Sequence, residues 1–379
     1  MRHHLYNPGF KFVKDPEEFN KYTDREILQY CLGATMYMPG HKDFTDAILS
    51  HKYPGLTSMV MCFEDACRLE DVPRAEINSI HTLEVLSDKL SRGEITYADL
   101  PLLIFRVRSV EQFKHFASML KPEYIKVLTG FNFPKFNSEN GEDYFAVLNE
   151  LNRKFGEVIY GMPIIEDRSV AFKESRMQEL LGIRNILDRY KDIVLNVRVG
   201  ATDFSSCFGV RRNVEYTIYD IVTVRDILQD ILNVFSRNGD YVVSGPVWEY
   251  FKINKSLRFT DLPEIGFQES LLRREPLVNA EVDGLMRELI IDKANGFIGK
   301  TIIHPSHINY VNGILAVTRE EYEDAVQILG TSGGVIKSSN SNKKNEIGPH
   351  HLWAEKLISC AIAYGVIENK QSYLELFGV

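Results

Sequence analysis

Several side chains able to do chemistry stand at the ends of short apolar or β-branched runs: Glu64 and Asp65 after Phe63, Arg106 and Arg108 around Val107, Glu166 to Arg168 after Pro163-Ile164-Ile165, and Thr202-Asp203 after Gly200-Ala201. Lys126 lies inside a run of the same kind. No cluster of His or Cys accompanies them. Carboxylates such as Glu166 and Asp203, without nitrogen or sulfur donors, suit a hard, oxygen-preferring cation. Mg²⁺ takes one or two protein carboxylates and completes its octahedron with water and substrate oxygens, whereas Zn²⁺ would be expected to recruit His or Cys. Such a cation polarises a substrate carboxylate and carbonyl and stabilises an enolate as it forms. Arg106 is the natural clamp for a planar carboxylate, because a guanidinium can pair with it bidentately.

Each residue also has a plainer reading. A carboxylate just after a strand can simply cap the next helix, and this applies to Asp203 and Asp65. Arg211-Arg212 can be a solvated pair, or Arg211 can meet a carboxylate or phosphate of the substrate. The pairs His3-His4 and His350-His351 have no metal-ligand context, and His304 before Pro305 reads as a structural hydrogen-bonding group.

These residues need elements to bring them together, and the pattern supplies them. Short strand-like runs at 34–38, 58–63, 102–107, 124–128, 158–165, 193–199, 241–244 and 301–303 alternate with amphipathic helical stretches such as 110–120, 144–154, 174–190 and 224–237. Several runs are almost wholly apolar, as in strands buried on both faces. Alternation of this kind predicts an α/β chain with a parallel sheet. Eight strands with interleaved helices fit one (β/α)₈ barrel, which needs ~250 residues; a doubly wound sheet has the same periodicity. In a barrel the reacting groups come from the C-terminal ends of strands, which places the carboxylates and arginines on one mouth. We expect an N-terminal extension at 1–32 with a short helix near 25–31, a barrel at 33–329, and a C-terminal segment at 330–379. In that last segment a flexible linker, 330–349, precedes a helix at 352–364. The connections 205–222 and 245–284 are unusually long, as functional loops tend to be.

The 379 residues carry a net charge of −8. That argues against a nucleic-acid-binding body, which would show a concentrated basic excess. No run approaches the ~18 apolar residues of a membrane span. The first dozen residues lack the apolar core of a secretory signal, so a cytoplasmic location is the expectation. Five scattered cysteines, with no CxxC pair, suggest neither a disulfide framework nor a zinc site.

Taken together, the strand-end motifs resemble the citrate lyase β-subunit-like group of the HpcH/HpaI aldolase superfamily, and within it the C–C bond lyase-like proteins of tellurite-resistance and stress-response gene clusters. Ala34-Thr35-Met36-Tyr37-Met38-Pro39-Gly40 resembles the family's first strand, R-S-x-L-F-x-P-G. Phe63-Glu64-Asp65-Ala66 resembles L-E-D-A, and Phe105-Arg106-Val107-Arg108 resembles V-R-V-N. Pro163-Ile164-Ile165-Glu166 is similar to P-x-I-E, Gly200-Ala201-Thr202-Asp203-Phe204 to the G-x-x-D ligand motif, and Gly299-Lys300-Thr301-Ile302-Ile303-His304-Pro305 to G-K-x-x-I-H-P. The matches keep the family's order from about residue 33 to 308.

The resemblance implies that Glu166 and Asp203 ligate Mg²⁺, that Arg106 holds the carboxylate or oxo-acid end of the substrate, and that Glu64 and Asp65 order water bound to the metal. It implies a carbon–carbon lyase or aldolase working through a metal-stabilised enolate on a carboxylate-bearing oxo- or hydroxy-acid. CoA or a carrier thioester is part of many of the family's substrates. It also implies a homo-oligomer, a trimer or hexamer, whose C-terminal segment reaches a neighbouring subunit. The general base stays open between a metal-bound water, Glu64 and a neighbour's side chain. One departure stands out. Relatives acting on thioesters carry an aspartate in a C-terminal G-K-M-I-D-x-P segment, whereas Lys344-Asn345-Glu346-Ile347-Gly348-Pro349 has glycine there, with Glu346 two residues away. The alternative reading is therefore a non-catalytic, accessory barrel in a multi-enzyme complex. A phosphotransfer enzyme is disfavoured, because no GxxxxGK[ST] cradle is present.

Overall fold

The computed structural model describes residues 1–252 and 266–378. Seven parallel strands form its centre: β1 (Ala34–Pro39), β2 (Ser58–Cys62), β3 (Leu102–Arg106), β4 (Leu128–Phe133), β5 (Tyr160–Ile165), β6 (Arg198–Val199) and β7 (Lys300–Ile302). They are ordered β6-β5-β4-β3-β2-β1-β7. Parallel bridges from Val197 to Val243 and from Gly245 to Lys300 close the ring through segment 243–245. The expected barrel of eight staves is thus present, with the seventh reduced to isolated bridges. Every residue of β2 to β5 is buried, as expected of strands covered by helices outside and by one another's side chains within.

The outer layer includes the helices Val72–Ser91, Val110–Ser118, Gly141–Phe155, Lys173–Arg189, Val222–Phe235 and Ala280–Asn295. An aromatic seam joins wall to layer: Phe116 of the second helix meets Phe105 of β3 edge-on at 5.0 Å, and Phe113 lies 4.6 Å from Phe131 of β4. Between β7 and the last helix, buried Lys300 is paired with Glu288 at 2.8 Å and Asp292 at 2.7 Å. The lysine of the G-K motif therefore ties strand to helix.

Two expectations shift. The fourth strand was expected at 124–128, but Pro122–Ile125 is a helical turn and β4 begins at Leu128. Proline is favoured in a first helical turn, and the glycine and asparagine of Leu-Thr-Gly-Phe-Asn-Phe weaken the strand signal. The second concerns 330–349, expected to be a flexible linker. It holds an antiparallel hairpin, Val335–Lys337 with Lys344–Glu346, tied to the helix Arg319–Leu329. Asp324 accepts from the Ser339 backbone and from Asn345 Nδ2, each at 3.1 Å. The C-terminal helix Ile347–Tyr364 packs on that same helix of its own chain.

The two ends of the chain meet beneath the barrel. Lys14 bridges Val366, buried His3 stacks on Tyr364 at 4.3 Å, and His4 Nε2 lies 2.9 Å from the Tyr364 carbonyl. The histidine pair read as incidental belongs to this packing. Of the long 245–284 connection, residues 253–265 lie outside those described; the rest includes a short helix, Phe267–Leu272. Among the described residues, no helix is long and apolar enough to cross a membrane.

Candidate active site

Four carboxylates and two cations meet where the strands end. Glu64 and Asp65 follow β2, Arg106 is the last residue of β3, Glu166 follows β5, and Asp203 sits in the first turn of the helix Ala201–Cys207 after β6. Arg106 Nη2 lies 2.7 Å from Glu64, 3.2 Å from Asp65 and 2.9 Å from Glu166. The second cation is Lys135, just beyond β4. Its ammonium is paired with Asp203 and lies 3.5 Å from Glu166 and 3.9 Å from both Glu64 and Asp65. Glu166 and Asp203, far apart in the chain, thus share one cation.

Local backbone chemistry holds this ring. Lys135 has φ of +47°, an unfavourable conformation for a residue with a Cβ. Its N–H donates to Glu166 Oε1 at 3.0 Å, so the turn serves the carboxylate with backbone and side chain together. Gly200 is required by close approach, since a Cβ there would stand 2.2 Å from Glu166 Oε2. Arg108 clasps the loop after β2 by donating to the carbonyls of Phe63 (2.9 Å), Glu64 (3.1 Å) and Cys67 (2.6 Å). Asp167 caps the short helix Arg168–Ala171 through its side chain.

The charge in this ring does not balance. Four carboxylates face one guanidinium and one ammonium, which leaves two negative charges when all are ionised. Part of the excess is relieved by protonation: burial, with help from the adjacent Asp65, pushes the Glu64 carboxyl up to about 7 against the pull of Arg106. Burial also raises buried Glu166, seconded by Asp203 and opposed by Arg106 and Lys135. Asp65 goes the other way: burial is outweighed by the bond with Glu64 and by the two cations. Lys135 is held more firmly protonated, burial notwithstanding, by Glu166, Asp203 and Glu64.

Oxygen donors alone, with an excess of negative charge that Glu64 protonation relieves only in part, fit a hard divalent cation in chemistry and in sign of charge. Among the described residues, no group of three or more His, Cys, Asp or Glu is arranged to hold a metal ion. Mg²⁺ does not require such a cage, since one or two carboxylates suffice.

Of the residues singled out in the sequence, Glu64, Asp65, Arg106, Glu166 and Asp203 come together here. Lys126 does not. It is exposed and precedes β4, at the opposite end of the strand from the mouth; the misplaced strand boundary carried it to the wrong end. Arg211 is exposed as well. Its neighbour Arg212 is the buried one, paired with Glu288 and Glu249 and stacked 4.7 Å from the Trp248 ring. His304 accepts from the Ser306 N–H at 3.2 Å and caps a short turn, as expected. Glu346 is exposed at the start of the C-terminal helix. The same boundary hides Lys135 in the sequence: with β4 at Leu128–Phe133, Phe133-Pro134-Lys135 obeys the strand-end rule.

Comparison with known proteins supplies the context. The family described as C–C bond lyase of the TIM-barrel fold matches residues 26–366. No curated protein sequence matches the chain. Among solved structures, CitE from Mycobacterium tuberculosis, in complex with magnesium, acetoacetate and coenzyme A, is similar with a TM-score of 0.51 at 15% identity, over 88% of this chain and 99% of that one. Malate synthase from Haloferax volcanii, as its magnesium/glyoxylate complex, is similar with a TM-score of 0.52 at 10% identity, over 87% of this chain and 88% of that one. At these identities the likeness is one of fold.

Proposed function

The chain belongs to the C–C bond lyase family of the TIM-barrel fold, and from that premise we propose that its strand-end carboxylates serve a Mg²⁺-dependent lyase or aldolase acting on an oxo- or hydroxy-acid. The observation that carries this reading is the ring of four carboxylates, Glu64, Asp65, Glu166 and Asp203, around only two cations, Arg106 and Lys135. The two structural neighbours were crystallised with magnesium and a small oxo-acid, which points the same way.

Glu166 and Asp203 would hold the cation, whose chemistry is to polarise a substrate carbonyl and carboxylate. Arg106 braces three of the ring's carboxylates and, with Lys135, sets positive charge where the substrate's carboxylate and developing enolate oxygen would lie. Cleavage of a 4-hydroxy-2-oxo acid then balances as follows. A base takes the C4 hydroxyl proton, the C4–O electrons form a carbonyl, the C3–C4 bond breaks, and its pair passes into the C2 oxo group. The resulting enolate is protonated at C3. Glu64, with its carboxyl near 7, can hold or release a proton at neutral pH and is the ring's candidate for that transfer.

Titration calorimetry with Mg²⁺ and oxaloacetate or pyruvate tests this. Wild type should bind the acid only with the metal present, and Glu166→Gln and Asp203→Asn should weaken metal binding at least tenfold. Metal binding by Glu166→Gln equal to wild type would remove the basis of the proposal.

A further inference from the structure

A cavity of about 750 Å³ lies at the end of the barrel opposite the mouth, within the roughly 300–1,000 Å³ of small-molecule sites. The last turn of the helix Ala280–Asn295 and the C-terminal helix Ile347–Tyr364 line it together. Gly296 and Ile298, which also line it, lead into β7, and this fixes the cavity at the N-terminal ends of the strands, away from the carboxylate ring. Its walls are mostly apolar: Ile290, Ile298, Ile314, Leu352, Trp353 and Leu357. Trp353 is 40% exposed and Leu352 37%. Large apolar side chains left bare beside a cavity are characteristic of binding sites.

The charges on this cavity do not balance. Among the described residues, three lysines, Lys293, Lys356 and Lys370, share it with one acid, Glu321, in a chain whose net charge is −8. Lys293 is fully used: its ammonium donates to the carbonyls of Ile314 (3.0 Å) and Ala316 (2.8 Å) and to the Tyr373 hydroxyl (2.9 Å). Glu321 is taken as well. It accepts from the Thr318 N–H and hydroxyl at 3.0 and 2.8 Å and lies under the pull of Lys293 and Lys370. Lys356, partly buried, meets no carboxylate among the described residues; burial holds its ammonium below the usual lysine value, and only the Cys360 thiol pulls the other way. Its Nζ stands beside the backbone of Gly296, 3.8 Å from where a Cβ would be. The helix end there offers roughly half a negative charge, too little to balance a full positive one.

We propose that this cavity is a second ligand site, taking a carboxylate with an apolar chain: the head pairs with Lys356, and the chain lies along Leu352, Trp353 and Leu357. An ammonium set in an apolar wall selects this class twice over. An uncharged apolar molecule would cover Lys356 and leave it unpaired, and a small anion without a chain would leave Trp353 and Leu352 in water. The occupant bridges the barrel helix to the C-terminal helix, so binding should raise the melting temperature. The site stands apart from the carboxylate ring and needs no metal.

Decanoate and decan-1-ol, which share a chain and differ in charge, probe the site by calorimetry and by fluorescence. Of the chain's two tryptophans, Trp248 is buried and Trp353 lines the cavity, so occupancy should change the emission of Trp353. Wild type should bind decanoate at least tenfold more tightly than decan-1-ol. Lys356→Met should bring that ratio near one by weakening decanoate alone, and Lys356→Arg should keep it. Leu352→Ser should weaken both probes, and Trp353→Phe should lose the emission change while calorimetric binding persists. Without ligand, Lys356→Met should melt at or above wild type, since it removes an unpaired ammonium. Glu166→Gln should bind decanoate as wild type does. A wild type that binds decanoate no better than decan-1-ol, a preference that survives Lys356→Met, or one that is lost in Glu166→Gln, overturns the proposal. So does an oligomer that Leu352→Asp dissociates while wild type takes up no decanoate: the cavity is then covered by a second copy of the chain.

Discussion

At the scale of single residues, the site is governed by how closely like charges are brought together. Lys135 places a positive charge where the two proposed metal ligands meet, so its ammonium competes with any divalent ion there. Lys135→Met should tighten Mg²⁺ binding by roughly tenfold, about 1.4 kcal/mol, as measured by calorimetry; unchanged or weaker binding would mean that the lysine and the metal do not compete. Gly200 makes the opposite point, that an absent atom can matter. Gly200→Ala would press a methyl into the Glu166 carboxylate and should cost about 1–3 kcal/mol, the range for overpacking. Urea denaturation reads that cost, and a loss of metal affinity should accompany it.

At the scale of elements, the turns that follow the strands do the positioning. The left-handed turn at Lys135 and the Arg108 clasp on the loop after β2 put side chains from different staves within reach of one another. The C-terminal hairpin shows how little of this is visible in composition. Val335–Lys337 and Lys344–Glu346 enclose a tract of Ser, Asn and Lys that reads as a linker, yet the helix residue Asp324 organises it by accepting from Ser339 and Asn345. Asp324→Ala should release the hairpin, and limited proteolysis should then cut within 330–349 where wild type resists. Equal resistance would show that the hairpin is held by something other than Asp324.

At the scale of the whole molecule, the chain ends act as a latch under the barrel, and two buried histidines are part of it. Burial holds His3 well below the usual histidine value, and His4 is lowered to about 4 by burial, against the pull of the Tyr364 carbonyl. Both are therefore neutral in the folded state. A group with a folded pKa below its unfolded value contributes stability that is complete above about 6.5 and is lost as the pH falls toward 4. For His4 the loss amounts to at most about 3.5 kcal/mol, at about 1.4 kcal/mol per pH unit over the span from 6.5 to about 4. Melting temperature should fall across that window, and His4→Asn, which cannot titrate, should fall less steeply. Parallel curves for the two proteins would place the acid sensitivity elsewhere.

The sequence by itself determined an alternating α/β chain, and its strand-end motifs, through their family resemblance, pointed to the barrel and to most of its mouth. Alternating buried strands and amphipathic helices have few ways to bury their apolar faces, and in a closed parallel barrel the residue after each strand must appear at the same end. That rule alone placed Glu64, Asp65, Arg106, Glu166 and Asp203 together. It failed at β4, where a glycine and an asparagine masked the strand, and with it Lys126 was wrongly included and Lys135 overlooked. What only the tertiary structure decided was which charges face which. Arg211 or Arg212, and a linker or a hairpin, look alike along the chain, because burial and partners are set by residues far away in sequence.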